Sequence, residues 1–227
     1  MFSLKLFTKY CTKDWQTHYK SNKQTFYFES DSRIFDEGDP VKGIYFVEKG
    51  YLKVLSKTLD GSEKIIRLVA PGMILGHRGF NAKFYPISAE SLTEVVLTFF
   101  PLSTFINMLK ANPDMSIYLL NFMSDELRDT ESRMKNLMIS NPKIRIAIIL
   151  IQLIDILGYD KKSDKKLLAF TLTRTDFANM GGTTYETVIR VLAQLKKDKL
   201  IGLEGKEITI LNEKKLRELA RNLKQKH

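Results

Sequence analysis

The sequence predicts an α+β protein with an N-terminal β jelly roll, a long central helix and a C-terminal winged helix-turn-helix. Three observations lead to this prediction. Short β-rich segments separated by turn residues fill residues 24–100. A long amphipathic stretch follows residue 113, and two short helical patterns joined by Gly181 and Gly182 precede a hairpin pattern. We therefore expect three parts, which are residues 1–110, 111–140 and 141–227.

Composition and charge exclude several classes of protein. The chain has 227 residues, of which 44% are hydrophobic, enough to give each of two domains a core. Its net charge of +10 is uneven, since residues 141–227 contain 18 Lys or Arg but only 10 Asp or Glu. A basic excess neutralises phosphates and favours a C-terminal domain that binds nucleic acid. No apolar run has membrane-spanning length and no signal-peptide core is present, so we expect a cytoplasmic protein without membrane contact.

Cysteine and histidine usage limits the chemistry. Cys11 is the single cysteine, which excludes a disulfide framework and an iron–sulfur cluster held by four thiolates. His18, His77 and His227 are too few and too widely spaced for the metal site of a jelly-roll enzyme. We also find no nucleophile–base pairing, and therefore expect no enzyme, no catalytic residue and no metal ligand. A haem sensor remains open, because His77 and several methionines are available.

The N-terminal half has the pattern of many short strands. A short helix within residues 1–22 would pack Phe2, Leu6, Phe7 and Tyr10. The β-rich runs then follow at residues 25–28, 33–35, 44–47, 51–55, 65–69 and 95–100. Turn sequences such as EGDP, EKG, LDGS and APG separate them. This spacing predicts a sandwich or jelly roll.

The central stretch predicts a coiled coil. After a short helix at residues 101–110, a longer one begins at Pro113. Positions 117, 120, 124, 127, 131, 134 and 138 then alternate spacings of three and four, and five of them are apolar, namely Ile117, Leu120, Leu127, Met134 and Met138. Ser124 and Glu131 interrupt this seam, so it is weaker than a pure zipper. The spacing is that of the seam of a two-stranded coiled coil.

Residues 173–199 combine two short helical patterns with a glycine turn. Thr173 can cap the first helix, and Gly181 and Gly182 then supply the backbone angles of a sharp corner. Thr183 or Thr184 can cap the second helix. The apolar residues of that helix recur at helical spacing, at Val188, Val191, Leu192 and Leu195.

The segments that surround this pattern complete a winged domain. The apolar helix at residues 144–157 predicts its first core helix, after a boundary at Asn141 and Pro142. Residues 200–211 predict a β-hairpin that turns near residues 204–206 and forms the wing. A basic terminal helix over residues 213–226 would place Leu216, Leu219 and Leu223 on one face.

The run YETVIR is the most specific element of the sequence. With Glu186 at the start of the helix, Thr187 beside it and Arg190 four residues on, it resembles the recognition motif of the Crp/Fnr regulators. The runs FDEGDP, GIYFVEKG and PGMILG resemble the cyclic-nucleotide-binding fold of the same family. The resemblance covers nearly the whole chain and implies a sequence-specific transcription regulator. It implies a homodimer on an inverted repeat of double-stranded DNA, RNA polymerase as a partner, and a small-molecule effector.

The resemblance and the helix phase together predict the DNA-contacting residues. These are Thr173, Arg174, Thr184, Tyr185, Glu186, Thr187, Arg190 and Lys206. Arg190 is suited to guanine and Glu186 to cytosine, while Thr184 and Thr187 are suited to phosphate. Tyr185 replaces an Arg of some relatives, so preference at the flanking base should differ.

The resemblance also predicts where an effector would bind. The candidate residues are Gly76, His77, Arg78, Tyr85, Ser88, Thr130 and Glu131. His77 stands where cyclic-nucleotide binders have a ribose-binding Glu, and the region of Tyr85 lacks their phosphate-binding Arg. We therefore expect an unidentified effector other than cyclic AMP. The alternative is a cyclic-AMP-responsive regulator with a divergent pocket. His77 and Arg78 either contact another small anion or sit in a polar turn.

Overall fold

The computed structural model of the chain describes residues 9–221. The chain divides into two compact units, an N-terminal unit up to residue 129 and a C-terminal unit from residue 130. The N-terminal unit contains α1 (Lys13–Asn22), β1 (Gln24–Phe28), β2 (Arg33–Phe35), β3 (Gly43–Lys49), β4 (Leu52–Lys57), β5 (Glu63–Val69), β6 (Ile74–Leu75), β7 (Ser88–Ser91), β8 (Val95–Pro101) and α2 (Leu102–Ala111). Helix α3 (Pro113–Leu137) crosses the boundary between the units.

Two four-stranded antiparallel sheets confirm the predicted jelly roll. One has the strand order β1-β8-β3-β6 and the other the order β2-β7-β4-β5. Successive side chains of β3 point to opposite faces of its sheet. Tyr45 and Val47 belong to the core cluster shared with Val54 of the second sheet. Ile44 and Phe46 belong to another cluster, formed with residues of α2 and the first part of α3.

Two strands were not predicted from the sequence. β6 has two residues, and β7 has the polar sequence SAES, which lacks the usual β-rich composition. β7 nevertheless lies between β2 and β4, where Ser88 and Ser91 are fully buried. The hydroxyl of Ser91 accepts the amide of Ser32 at 2.8 Å and donates to the carbonyl of Glu29 at 2.6 Å. Long-range hydrogen bonds satisfy these buried hydroxyls, and a local pattern does not reveal them.

The predicted long helix is confirmed as α3. It ends at Leu137, so Met138 lies one residue beyond the helix and not within it as expected. The apolar seam residues are more than half exposed, with fractions of 59% for Ile117, 62% for Leu120 and Leu127, 65% for Met134 and 86% for Met138. Ser124 and Glu131 are exposed as well. The described chain therefore leaves this apolar stripe uncovered.

The C-terminal unit is a winged helix-turn-helix, as the sequence predicts. It contains α4 (Pro142–Leu157), α5 (Arg174–Gly181), α6 (Tyr185–Lys197), β9 (Ile201–Glu204), β10 (Glu207–Ile210) and α7 (Glu213–Arg221). The side chain of Asn141 caps α4 by accepting the amide of Lys143 at 2.9 Å. β9 and β10 form the expected hairpin, with Gly205 at φ +57° in its turn.

The two ends of the chain are described in part. Phe2, Leu6 and Phe7, named for a helix within residues 1–22, lie outside the described residues, and so do Leu223 and His227. The Tyr10 ring stacks on that of Tyr118 with the centroids 5.2 Å apart. Within residues 9–221, no helix is long and apolar enough to cross a bilayer.

Candidate nucleic-acid interface and effector site

The two glycines at the turn between α5 and α6 have different structural roles. Gly181 still belongs to α5, and a Cβ atom there would lie 3.2 Å from Cδ1 of Ile146 on α4. Gly182 has the left-handed conformation, with φ 54° and ψ 46°, which favours glycine. The sequence pattern predicted that both residues form the turn. Gly181 instead permits close packing, and Gly182 makes the corner.

Two threonine side chains fix the starts of the two helices. The hydroxyl of Thr173 accepts the amide of Asp176 at 3.0 Å, and that of Thr184 accepts the amide of Thr187 at 3.3 Å. Thr184, and not Thr183, is therefore the cap of α6. Its hydroxyl also lies 3.1 Å from that of Thr187. Two hydroxyl groups thus meet at the positive end of the α6 dipole, where a phosphate is favourably bound.

One face of α6 is buried and the opposite face is exposed. Val188, Val191, Leu192 and Leu195 are buried, as predicted. Burial of that stripe leaves Tyr185, Glu186 and Arg190 exposed near the start of the helix. Among residues 9–221, neither Glu186 nor Arg190 takes part in a salt bridge. Both charged groups can therefore approach a ligand without breaking an ion pair.

Arg145 of α4 fixes the position of the turn, a role that was not predicted from the sequence. Its Nε donates to the carbonyl of Gly181 at 2.7 Å, and its Nη2 to the carbonyl of Gly182 at 3.3 Å. Its Nη1 donates to the carbonyls of Ile139 and Ser140. One guanidinium thus joins the helix-turn-helix corner to the segment before α4. The available signal was an arginine in the otherwise apolar run IRIAIIL.

The wing approaches the start of α5. Nη2 of Arg174 lies 3.5 Å from the carbonyl of Gly205, at the limit of a hydrogen bond. Lys206, the next residue of the hairpin turn, is exposed. The two basic residues predicted to contact DNA outside α6 are therefore brought near each other.

A buried ionic cluster lies in the N-terminal unit. Oε1 of Glu126, on α3, is 3.0 Å from Nη2 of Arg67. Its Oε2 is 3.6 Å from Nε2 of His77 and 3.6 Å from Nη2 of Arg78. The side chains of Arg67 and His77 are only 6% and 4% exposed, and that of Glu126 is 14% exposed. The ring of Phe122 packs against the cluster, because its centroid lies 5.2 Å from that of the His77 ring.

The charges in this cluster determine its protonation. Burial opposes ionisation of Glu126, but the contact with His77 and the charges of Arg67 and Arg78 outweigh it and lower the pKa to about 2. Burial lowers the pKa of His77 below its ordinary value of 6.5, although the contact with Glu126 acts to raise it, and the neighbouring guanidinium groups act in the same direction as burial. At neutral pH an ionised carboxylate therefore faces two guanidinium groups and a neutral imidazole.

Of the other predicted effector residues, Gly76 and Tyr85 both approach the carbonyl of Gly43. The hydroxyl of Tyr85 donates to the carbonyl of Gly43 at 2.8 Å, and that of Ser88 accepts the amide of Glu37 at 2.9 Å. Gly76 has φ +81°, and a Cβ atom there would lie 2.8 Å from the carbonyl of Gly43. The hydroxyl of Thr130 accepts a hydrogen bond from Nη2 of Arg133 on the same helix at 3.0 Å, while Glu131 is exposed. Of the seven residues, His77 and Arg78 are thus the two in contact with Glu126.

Two of the four cluster residues were missed in the sequence. Arg67 lies in the apolar strand β5, and Glu126 precedes the seam residue Leu127 on α3. Their separation of 59 positions gives no local pattern. In the described part of the chain, no group of three or more His, Cys, Asp or Glu side chains is arranged to hold a metal ion.

Comparison with known proteins decides the family. A model of the cyclic nucleotide-binding domain matches residues 25–112, and a model of the Crp-like helix-turn-helix domain matches residues 144–219. The transcriptional activator protein anr of Pseudomonas aeruginosa is 30% identical over 190 residues, which make up 82% of this chain and 76% of that protein. The chain belongs to the Crp/Fnr family of transcription regulators.

Other members of the family are similar over most of the chain. The fumarate and nitrate reduction regulatory protein of Escherichia coli is 26% identical over 187 residues, 82% of this chain and 74% of its own. The structure of FixK2 from Bradyrhizobium japonicum has a TM-score of 0.78 at 23% identity and covers 87% of this chain. That structure comprises both parts of the fold, since 97% of it is covered in return.

Replacing Glu126 by Gln in this Crp/Fnr regulator should strongly destabilise the N-terminal unit. The change leaves Arg67 buried without its carboxylate, and breaking one side of a buried ion pair costs about 3–5 kcal/mol. Denaturant unfolding monitored by fluorescence measures the loss. Glu131→Gln, on the exposed part of the same helix, is the matched control and should leave stability nearly unchanged.

The same cluster should make the protein less stable in acid. Since the pKa of Glu126 is about 2 in the folded protein and ordinarily 4.5, its stabilisation is present above pH 4.5 and is lost toward pH 2. The lowered pKa of His77 adds a loss that begins below pH 6.5. Glu126→Gln should lack the first loss. Equal pH profiles for the two proteins would show that the cluster does not hold the unit together.

Proposed function

We propose that the chain is a homodimeric, sequence-specific DNA-binding regulator that recognises an inverted repeat through the start of α6. It would act in the cytoplasm, with RNA polymerase as its partner in transcription. The observation that carries the proposal is the exposed pair Glu186 and Arg190 behind the Thr184 cap. A helix-turn-helix presents this end of its second helix to the major groove.

The exposed side chains suit particular groups of DNA. The Arg190 guanidinium can donate two hydrogen bonds to guanine, which is the commonest specific contact in the major groove. The Glu186 carboxylate can accept from the amino group of cytosine. The hydroxyls of Thr184 and Thr187 lie at the helix start, where they suit phosphate and set the position of the protein along the duplex. Thr173, Arg174 and Lys206 would add contacts at the flanks.

The exposed stripe of α3 supports a homodimer. In a coiled coil, a helix with this spacing of exposed apolar residues buries them against the same stripe of a second helix. Each leucine removed from water in such a seam contributes about 1.5–3 kcal/mol. Two such dimer-related chains carry two α6 helices, which matches the symmetry of an inverted repeat.

The ionic cluster supports an effector other than cyclic AMP. In this structure a carboxylate of the chain itself already occupies the basic groups around His77 and Arg78. Tyr85, at the region where cyclic-nucleotide binders carry an Arg, is buried and bonded to Gly43. A neutral phenol does not offer the charged, forked contact that a cyclic phosphate needs. The effector, if the N-terminal unit has one, must be recognised by other chemistry.

Replacing Leu120 and Leu127 together by Lys should convert the dimer to monomers. The two positions are 62% exposed in the single chain, so the change should not disturb its fold, while charges in the seam oppose association. Light scattering measures the mass. Leu59→Lys is the control, because Leu59 is also an exposed leucine but lies in the β4–β5 connection. A dimer that survives the double change would show that α3 is not the interface.

Cyclic AMP should leave the melting temperature unchanged. A ligand at one hundred times its dissociation constant stabilises the folded state by about 2.7 kcal/mol, which a melting curve easily detects. Millimolar cyclic AMP tests the point, with adenosine monophosphate as the control for ionic effects. A shift specific to the cyclic nucleotide would favour the divergent-pocket alternative.

Arg190→Ala should weaken binding to the preferred sequence by about 1–3 kcal/mol and remove discrimination at one base pair of each half-site. Thr187→Ala should instead weaken all sequences by similar amounts, because a phosphate contact carries no sequence information. Selection from random duplexes, followed by affinity measurements, provides the comparison. If wild-type protein enriches no inverted repeat, or Arg190→Ala keeps the same preference, α6 is not the recognition helix.

A further inference from the structure

The exposed face of α6 carries an apolar side chain that the contacts above do not use. Ile189 is 46% exposed and does not belong to the buried stripe of the helix. A β-branched residue is also a weak helix former, so local stability does not favour isoleucine at this exposed position. Its place on the recognition helix suggests that it acts through contact with a ligand.

The helix phase puts Ile189 among the proposed base-contacting residues. It follows Tyr185 by four residues and Glu186 by three, so it lies one turn above both. It directly precedes Arg190. Any approach that brings Glu186 and Arg190 to base edges therefore also brings the Ile189 side chain to the floor of the groove.

The remaining exposed part of α6 has a different character. Beyond the second turn the exposed positions are Ala193, Gln194, Lys196 and Lys197. Ala193 is small, and the others are polar or basic, which suits the phosphate backbone or water. Large exposed apolar side chains of α6 are thus confined to Tyr185 and Ile189, in the two turns that enter the groove.

The major groove offers an apolar partner for such a side chain. Thymine places its C5 methyl group there, whereas the other base edges present hydrogen-bond donors and acceptors. We propose that Ile189 contacts a thymine methyl group in each half-site and makes thymine a specificity determinant at that base pair. The proposal rests on the proposed function, because it requires α6 to lie in the major groove.

Replacing thymine by deoxyuridine tests the contact directly. The exchange removes the methyl group and leaves the hydrogen-bonding edges unchanged, and it is made at each thymine of the selected duplex in turn. At one position per half-site, wild-type protein should lose roughly four-fold in affinity, the effect of one buried methyl-sized group. Exchange in both half-sites should lower the affinity roughly fifteen-fold, because the free-energy losses at distant sites are nearly additive.

Ile189→Ala identifies the side chain responsible. This variant should bind the thymine duplex more weakly and should lose nothing further on exchange to deoxyuridine at that position. Leu211→Ala is the matched control, since Leu211 is 58% exposed but lies after the wing strand β10. Leu211→Ala should lose as much affinity as the wild-type protein when thymine is replaced by deoxyuridine. A melting curve verifies that each variant is folded.

The outcomes separate this inference from the proposed function. If wild-type protein binds its inverted repeat but no exchange to deoxyuridine matters, the Ile189 contact is wrong and the regulator stands. The contact is also wrong if Ile189→Ala remains as sensitive to the exchange as wild type. Failure to select any duplex would instead refute the proposed function itself.

Discussion

Burial of one face of α6 determines where every proposed base-contacting side chain points. Val188, Leu192 and Leu195 pack into the core of the C-terminal unit, and this packing fixes the rotation of the helix about its axis. Glu186, Ile189 and Arg190 are exposed as a consequence. Polar contacts then fix the start of the helix, through the Thr184 cap and the hydrogen bonds of Arg145 to the turn.

The N-terminal unit depends on a different constraint, the neutralisation of buried charge. Two guanidinium groups near the β5 strand and the loop after β6 would be costly without a counter-ion, and Glu126 supplies it from α3. The internal carboxylate thereby links the long helix to the jelly roll. A regulator built in this way holds that helix in place without a bound anion, which is consistent with the altered residues at His77 and Tyr85.

Features with a local pattern could be predicted from the sequence. Helix α3, the caps Thr173 and Thr184 and the wing all follow from spacing or turn chemistry, and the structure confirms these elements. Strand β7 was missed because its serines are satisfied by partners 59 and 51 residues away. Arg67, Glu126 and Arg145 were missed for the same reason, since folding alone brings their charges to distant partners. The role of Gly181 required knowledge of its neighbour on α4.

Methylation interference on a selected duplex shows whether Arg190 of α6 reads guanine in the major groove. Methylation of guanine at N7 blocks the atom that Arg190 is proposed to bind, and it leaves the phosphates unchanged. Recognition through Arg190 predicts interference at one symmetric guanine in each half-site, with the two positions on the same face of the duplex about one helical turn, roughly 34 Å, apart. Binding that tolerates methylation of every guanine would contradict recognition through α6 and Arg190.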